Sequence, residues 1–247
     1  MAAHGTLSPP PLLSTLMQQG NVALFLDFDG TLVGIADRPD AICVSDKLSR
    51  QLEQLAARMA GRLAVVSGRS LDDLATYLGA PAIYRAGSHG AAMVGPDQAM
   101  IGTPPDPVPA EIVAALARFA AEQNLHLETK SHGVAVHYRS HPGRQAVTEE
   151  FTASLAREAG LEIQSGKFVV ELVRPGGGKA GAVQALMQQG VFSGAMPVFI
   201  GDDITDEDGF AASLALGGFG IAVGERVSAL AHYHLNSIRD VHEWLNL

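Results

Sequence analysis

NVALFLDFDGT, residues 21–31, decides how the chain is read. Val22 to Leu26 is an apolar run without polar interruption, and it stops abruptly at two carboxylates and a glycine, Asp27, Asp29 and Gly30. A run this short and this uniform predicts a strand buried on both faces, as in a parallel sheet. The same figure returns in RLAVVSGRS (62–70), where apolar residues end in a Ser-Gly-Arg turn, and in Pro197 to Ile200, which run into Gly201-Asp202-Asp203. Ligands of open α/β sheets bind at the carboxyl ends of the strands, where all three polar clusters fall.

Outward from these strands the pattern alternates. Residues 1–20 read as a loose tail with a short helix around Leu12 to Gln19, and a helical pattern runs from Ser45, the expected N-cap, to Met59. LDDLATYL (71–78) reads as helix and APAIYRAGSHG (80–90) as strand and loop. At TPPDPVP (103–109) the character changes. A helix from Ala110 to Gln123, paired strands around Ser131–Gly133, a helix in RQAVTEEFTASLAREAG and a second strand pair in LEIQSGKFVVELV form an α+β set. The first pattern then resumes with helix 179–189, the strand into GDD, helix 206–215, strand 219–223 and a closing helix holding Trp244. The expected architecture is α/β: a doubly wound parallel-sheet, Rossmann-like core of residues 1–106 and 173–247, interrupted by an α+β insert at 107–172.

Composition narrows the partners. The 247 residues include 17 basic and 26 acidic side chains, a formal net charge of −9. That balance argues against nucleic acid or an anionic membrane surface as a partner. Cys43 is the single cysteine, so neither an internal disulfide nor a cysteine metal cluster is available. MAAHGTLSPPPLLSTLMQQG has no basic leader region and its apolar stretch is broken by prolines, and no run of about 18 apolar residues occurs. A soluble, cytoplasmic protein is expected.

Two acidic clusters carry the chemistry. In an extended DFDGT, Asp27 and Asp29 point the same way, so one carboxylate can attack phosphorus while the other moves protons. Gly30 lets the backbone turn close to a ligand. GDDITDEDGF (201–210) packs Asp202, Asp203, Asp206, Glu207 and Asp208 together. Like charges so close call for a cation, and Asp27, Asp29 and Asp202 or Asp203 make an all-oxygen set suited to Mg2+. For Asp206, Glu207 and Asp208 a plain acidic helix start remains an equal alternative. Ser67 is placed either to hold a phosphate oxygen or to cap a helix, and Lys179, after three glycines, either to hold an anion or to sit on the surface. GGGKA is not a P-loop, since Val173 and Ala180 stand where Gly and Ser/Thr are required; segment 204–215 is not an EF-hand, since Ile204 and Ala215 occupy its end ligand positions.

DFDGT, VVSGR, the lysine and GDDITDEDGF, in that order, resemble the four motifs of the haloacid-dehalogenase superfamily of phosphotransferases. DFDGTLVGIADRPD, AGSHGA, LETKSHGVAVHYR and GKFVVELVRP are similar, more narrowly, to the trehalose-6-phosphate phosphatase family. The resemblance implies that Asp27 is the nucleophile and Asp29 the general acid/base, that Ser67 and Lys179 hold the phosphoryl group, and that Gly68 and Arg69 bind substrate beside them. It implies Mg2+ on Asp27, the Asp29 carbonyl and Asp202, supported by Asp203 and Asp206. The insert becomes a cap that reads the sugar through Glu128, Lys130, Lys167 and Glu171, with Arg139 and His137. Two departures stand out: Val173 fills a position that is commonly basic, with Arg174 following, and Gly176–Gly178 replace larger polar residues. His89 either lines the site or satisfies its loop. The expected activity is hydrolysis of trehalose 6-phosphate by a monomer fed by a trehalose-6-phosphate synthase. Another sugar phosphate and a phosphomutase reaction are the alternatives. A phospho-accepting signalling module fits neither the D-x-D spacing nor the insert.

Overall fold

The computed structural model describes residues 7–35, 42–103, 106–129, 133–166, 168–175 and 178–247. In chain order its helices are α1 (Leu13–Gln19), α2 (Leu48–Arg58), α3 (Leu71–Leu78), α4 (Ala110–Gln123), α5 (Gln145–Ala159), α6 (Gly178–Met187), α7 (Asp206–Ala215) and α8 (Ile238–Leu245). Its strands are β1 (Val22–Leu26), β2 (Leu63–Val66), β3 (Tyr84–Gly87), β4 (Ala92–Val94), β5 (His126–Thr129), β6 (Gly133–His137), β7 (Glu162–Gly166), β8 (Val169–Val173), β9 (Met196–Gly201), β10 (Phe219–Val223) and β11 (Tyr233–Leu235). The chain divides into two compact units, Met1–Gly102 with Lys179–Leu247, and Thr103–Gly178.

The first unit is built on a seven-stranded sheet in the order β11-β10-β9-β1-β2-β3-β4. All neighbours are parallel except β3 and β4. β1 lies between β2 and β9, with Leu24 opposite Leu63 on one side and Val198 on the other. Its five residues are all buried, and alternation explains why every one is apolar. Val22, Leu24 and Leu26 join a core with Leu13 and Leu16 of α1, Leu48, Leu52 and Leu55 of α2, and Val241 and Leu245 of α8. Ala23 and Phe25 join the opposite core with Ala182, Val183 and Leu186 of α6 and Phe210 of α7. Each large apolar side chain so buried contributes roughly 1.5–3 kcal/mol. The chain leaves β1 toward β2 on one side and returns through β9 on the other, which makes the β1–β9 edge the switch point of the sheet, where such folds open a ligand crevice.

Two local expectations are corrected. α2 begins at Leu48 with Lys47 at its N-cap; Ser45 Oγ accepts from the Lys47 N–H, at 3.3 Å, a serine turn two residues short of the helix. Helix 179–189 starts at Gly178, ends at Met187 and passes into a separate 3-10 turn at Gly190–Phe192. β4 and β11, three residues each, had no counterpart in the sequence reading, because strands that short show no period.

The second unit is a four-stranded antiparallel sheet in the order β5-β6-β8-β7 with α4 and α5. Val134, Val136 and Leu172 pack with Ile112, Leu116 and Ala120 of α4 and Leu155 and Ala156 of α5. Alternation leaves Glu128, Ala135, Glu171 and Gln164 in one cross-strand row on the other face. Among the described residues no helix is long and apolar enough to cross a membrane.

Candidate active site

Asp27 follows the last residue of β1, and its backbone N–H donates to the Ile200 carbonyl of β9 at 2.9 Å. Lys179, from the first turn of α6, reaches it: Nζ donates to Asp27 Oδ1 at 2.6 Å and to Asp206 Oδ1 at 2.5 Å, and all three side chains are buried. Asp206 Oδ2 in turn accepts the Asp203 N–H at 2.9 Å, which folds the 201–206 loop around that carboxylate. Gly201 makes room for this; a Cβ there would lie 2.2 Å from Asp206 Cγ. Gly30, at φ +84°, does the same for Asp202, whose Oδ2 would stand 2.1 Å from an added Cβ. Thr31, fully buried, sets its hydroxyl 3.4 Å from Asp202 Oδ1.

Asp27, Asp202 and Asp206 each offer a carboxylate oxygen, all within 4.8 Å of one another. One ammonium does not balance three carboxylates in so small a space. Burial pushes the Asp27 carboxyl well above the usual range; Lys179 opposes the rise, while Asp206 and Asp202 add to it. Asp202 is pushed up to about 6 by burial and by Asp206 and Asp203, again against Lys179. Burial alone would lower the Lys179 ammonium, but Asp206 and Asp27 outweigh it and hold it above its ordinary value. Hard, crowded, under-neutralised oxygen donors are what a divalent metal ion requires, so the residues present could hold one.

Asp29 belongs to a different network. β1 ends at Leu26, and Asp27 and Asp29 follow it in the loop. The Arg69 guanidinium grips Asp29 with a fork, Nε to Oδ2 at 2.6 Å and Nη2 to Oδ1 at 2.8 Å, and its Nη1 donates to Asp73 Oδ2 at 2.7 Å. It also lies over the Tyr77 ring, 5.0 Å from the centroid. The structure therefore engages Arg69 with carboxylates of its own chain. Ser67 is buried at the end of β2 and its Oγ accepts the Arg69 N–H at 3.1 Å, while the cap of α3 is Ser70, which accepts from Asp73 N at 3.1 Å. His89 packs against this turn: its backbone N–H donates to the Ser67 carbonyl at 2.8 Å, and its ring lies so close to Gly68 that a Cβ there would meet it at 2.7 Å.

In the inserted unit, Glu128 and Glu171 share the row described above, and His137 Nε2 lies 2.8 Å from Glu128 Oε2. Glu171 is buried, with Gly133 leaving the space its carboxylate occupies. Arg139 is exposed. Lys130 and Lys167 lie outside the described residues. Arg174 donates to the carbonyls of Asp106, at 3.4 Å, and Pro107, at 3.1 Å.

Two partnerships were not read from the sequence. Glu207, left open as a solvated helix start, pairs with Arg226, which also donates to the Asp202 carbonyl at 3.0 Å. Thr31 could have been suspected from its place beside Gly30; Arg226 carried no signal, standing in a loop of ordinary composition.

Residues 25–232 match the family model described as trehalose-phosphatase. The chain belongs to the trehalose-phosphatase family. A trehalose-6-phosphate phosphatase of Escherichia coli is 34% identical over 244 residues, covering 96% of this chain and 90% of that protein. Of solved structures, the C-terminal domain of a C. albicans trehalose-6-phosphate phosphatase superposes with a TM-score of 0.82 at 24% identity, covering 99% of this chain and 98% of that one. An Aspergillus fumigatus trehalose-6-phosphate phosphatase gives 0.69 at 25% identity over 98% of both chains. Trehalose-phosphatases are phosphoric monoester hydrolases, and the α/β core with its inserted unit is the fold these structures share with this chain.

Proposed function

We propose that the protein is a Mg2+-dependent phosphatase that converts trehalose 6-phosphate to trehalose and phosphate through an aspartyl-phosphate on Asp27. The observation that carries this reading is the buried Asp27 carboxylate at the sheet's switch point, held by Lys179 within a trio of carboxylates, in a chain of the trehalose-phosphatase family.

In the proposed sequence an Asp27 carboxylate oxygen attacks the phosphorus and the ester P–O bond breaks. The departing sugar oxygen takes a proton from Asp29. Water then attacks the phosphorus of the aspartyl-phosphate, giving its proton to Asp29, and the P–O bond to Asp27 breaks to release phosphate. Both oxygens of Asp29 are engaged by Arg69 in this arrangement, so carrying a proton requires one of them to part from the guanidinium. Lys179 and the Ser67 hydroxyl neutralise and orient the phosphoryl oxygens. Asp27, Asp202 and the Asp29 carbonyl, with Asp203 and Asp206 in support, would hold Mg2+, which when bound would supply the positive charge that an anionic nucleophile needs to approach a dianionic phosphate. The sugar is read by the polar row of the insert, Glu128 and Glu171, with Lys130, Lys167, His137 and Arg139. The substrate is an anionic sugar ester and the acidic chain has no nucleic-acid or membrane partner in this reading. The enzyme works as a cytoplasmic monomer downstream of the synthase that makes the ester.

The test is phosphate release from trehalose 6-phosphate, sucrose 6-phosphate and glucose 6-phosphate, with Mg2+ and with a chelator, beside Asp27→Asn. Release from the first alone, abolished by chelator and by the substitution, is expected. Faster release from another ester would keep the Asp27 chemistry and reassign the sugar. An isomerised ester without free phosphate would make the protein a mutase.

A further inference from the structure

The segment after β10 is tied to α7 by one side chain. Glu207 Oε2 accepts from the Ser228 hydroxyl and from the Leu230 N–H, both at 3.1 Å, and Ser228 Oγ accepts from Leu230 N at 3.2 Å and Ala231 N at 2.8 Å. Glu207 Oε1 lies 2.7 Å from Arg226 Nη2; the two atoms are buried and meet as charges outside hydrogen-bond alignment. Arg226, so placed, donates through Nε to the backbone carbonyl of Asp202 at 3.0 Å. A continuous path therefore runs from α7 through Glu207 and the 226–231 loop to the backbone of a residue whose carboxylate lies beside Asp27 and Asp206.

Asp202 needs such support. It follows β9 directly, its carboxylate crowds those of Asp27 and Asp206 within 4.8 Å, and its side-chain contact with Thr31 is long at 3.4 Å. A ligand carboxylate must hold its place to about half an ångström to bind a metal well. Groups behind a ligand typically change metal affinity by about 10–100-fold when removed.

We propose that Glu207 and Arg226 are a positioning pair that sets the divalent-ion affinity of the site by fixing the Asp202 backbone. The inference rests on the divalent-ion reading above. Within GDDITDEDGF, Asp206 touches Lys179 and lies among the carboxylates of the site itself, whereas Glu207 acts on the site only through Arg226.

The experiment is Mn2+ binding to the full chain, followed by electron paramagnetic resonance of the free ion without substrate, and then kcat against Mg2+ concentration. Arg226→Ala is expected to raise the Mn2+ Kd about tenfold, and kcat at saturating Mg2+ to fall by less than Kd rises. Arg226→Lys, which keeps the charge and loses the fork, should fall between wild type and Ala. Glu207→Gln should weaken binding about threefold, and the double variant should be no worse than Arg226→Ala alone. Unchanged Mn2+ affinity in a variant with wild-type circular dichroism would overturn the proposal, as would lost kcat at saturating metal with unaltered affinity. If Arg226→Ala does not fold, Arg226→Lys and Glu207→Gln decide by the same criteria. A wild-type chain that binds no Mn2+ would overturn the metal reading and this inference with it, and that failure shows before any substitution is made.

Discussion

Lys179 Nζ stands 2.5 Å from Asp206 Oδ1 and 2.6 Å from Asp27 Oδ1, so the first turn of α6 is joined to the first turn of α7 and to the exit of β1 by one ammonium. Asp206 has no exposed surface and Lys179 almost none. The arrangement fixes the orientation of the Asp27 carboxylate, and it makes Asp206 a structural requirement for the lysine.

Removing Asp206 leaves a buried cation paired with a single carboxylate and frees the Asp203 N–H. Deleting one partner of a buried ion pair costs about 3–5 kcal/mol. Asp206→Ala should destabilise the protein by roughly 3 kcal/mol in urea denaturation and lower kcat at least 100-fold, with Asp206→Asn milder on both counts. A variant with wild-type stability would show that Lys179 does not depend on this partner.

The Asp202 carboxyl gives a pH signature. Its value in the folded protein, about 6, lies above the roughly 3.9 of an unfolded chain. A carboxyl raised in this way costs nothing below pH 4, where it is protonated in both states. The cost grows as pH climbs and is complete above about pH 6. In chelator, Asp202→Asn should therefore match wild type near pH 4 and exceed it by on the order of 1–2 kcal/mol at pH 7, allowing for solvent screening. Added Mg2+ should raise the stability of wild type and leave Asp202→Asn nearly unmoved. A stability difference that stays flat between pH 4 and 7 would remove the charge-crowding argument.

Arg69 holds both oxygens of Asp29 and also Asp73, a geometry only a planar fork provides. Arg69→Lys keeps the charge but not the fork. It should reduce kcat about tenfold while KM for trehalose 6-phosphate stays within about threefold, because the loss falls on Asp29's orientation. A large rise in KM with kcat intact would instead make Arg69 a direct substrate ligand, as the sequence resemblance implied.

Much of this was legible in the chain. Val22 to Leu26 announced a two-sided strand because burial on both faces leaves no polar position in the run, and α4 fell at Ala110–Gln123 as read because its apolar residues recur with the helical period. The acids of DFDGT and GDDITDEDGF were visible because local composition displays them. Pairing was not. Asp27 and Lys179 are 152 positions apart, and nothing near either names the other. Ser67 and Ser70 are chemically equal candidates for the cap of α3, and only the path of the backbone decided for Ser70. The two three-residue edge strands exist because β3 and β10 offer free edges, a property of the sheet that no local window contains.

The sequence by itself determined where the strands end and which acids stand there, because those depend on the order of side chains along a few residues. The tertiary structure decided which cation each acid receives. Lys179 goes to Asp27 and Asp206, Arg69 to Asp29, and Arg226 to Glu207. Charge pairing acts through distances of a few ångströms, and the sheet brings residues to those distances without regard to their separation along the chain.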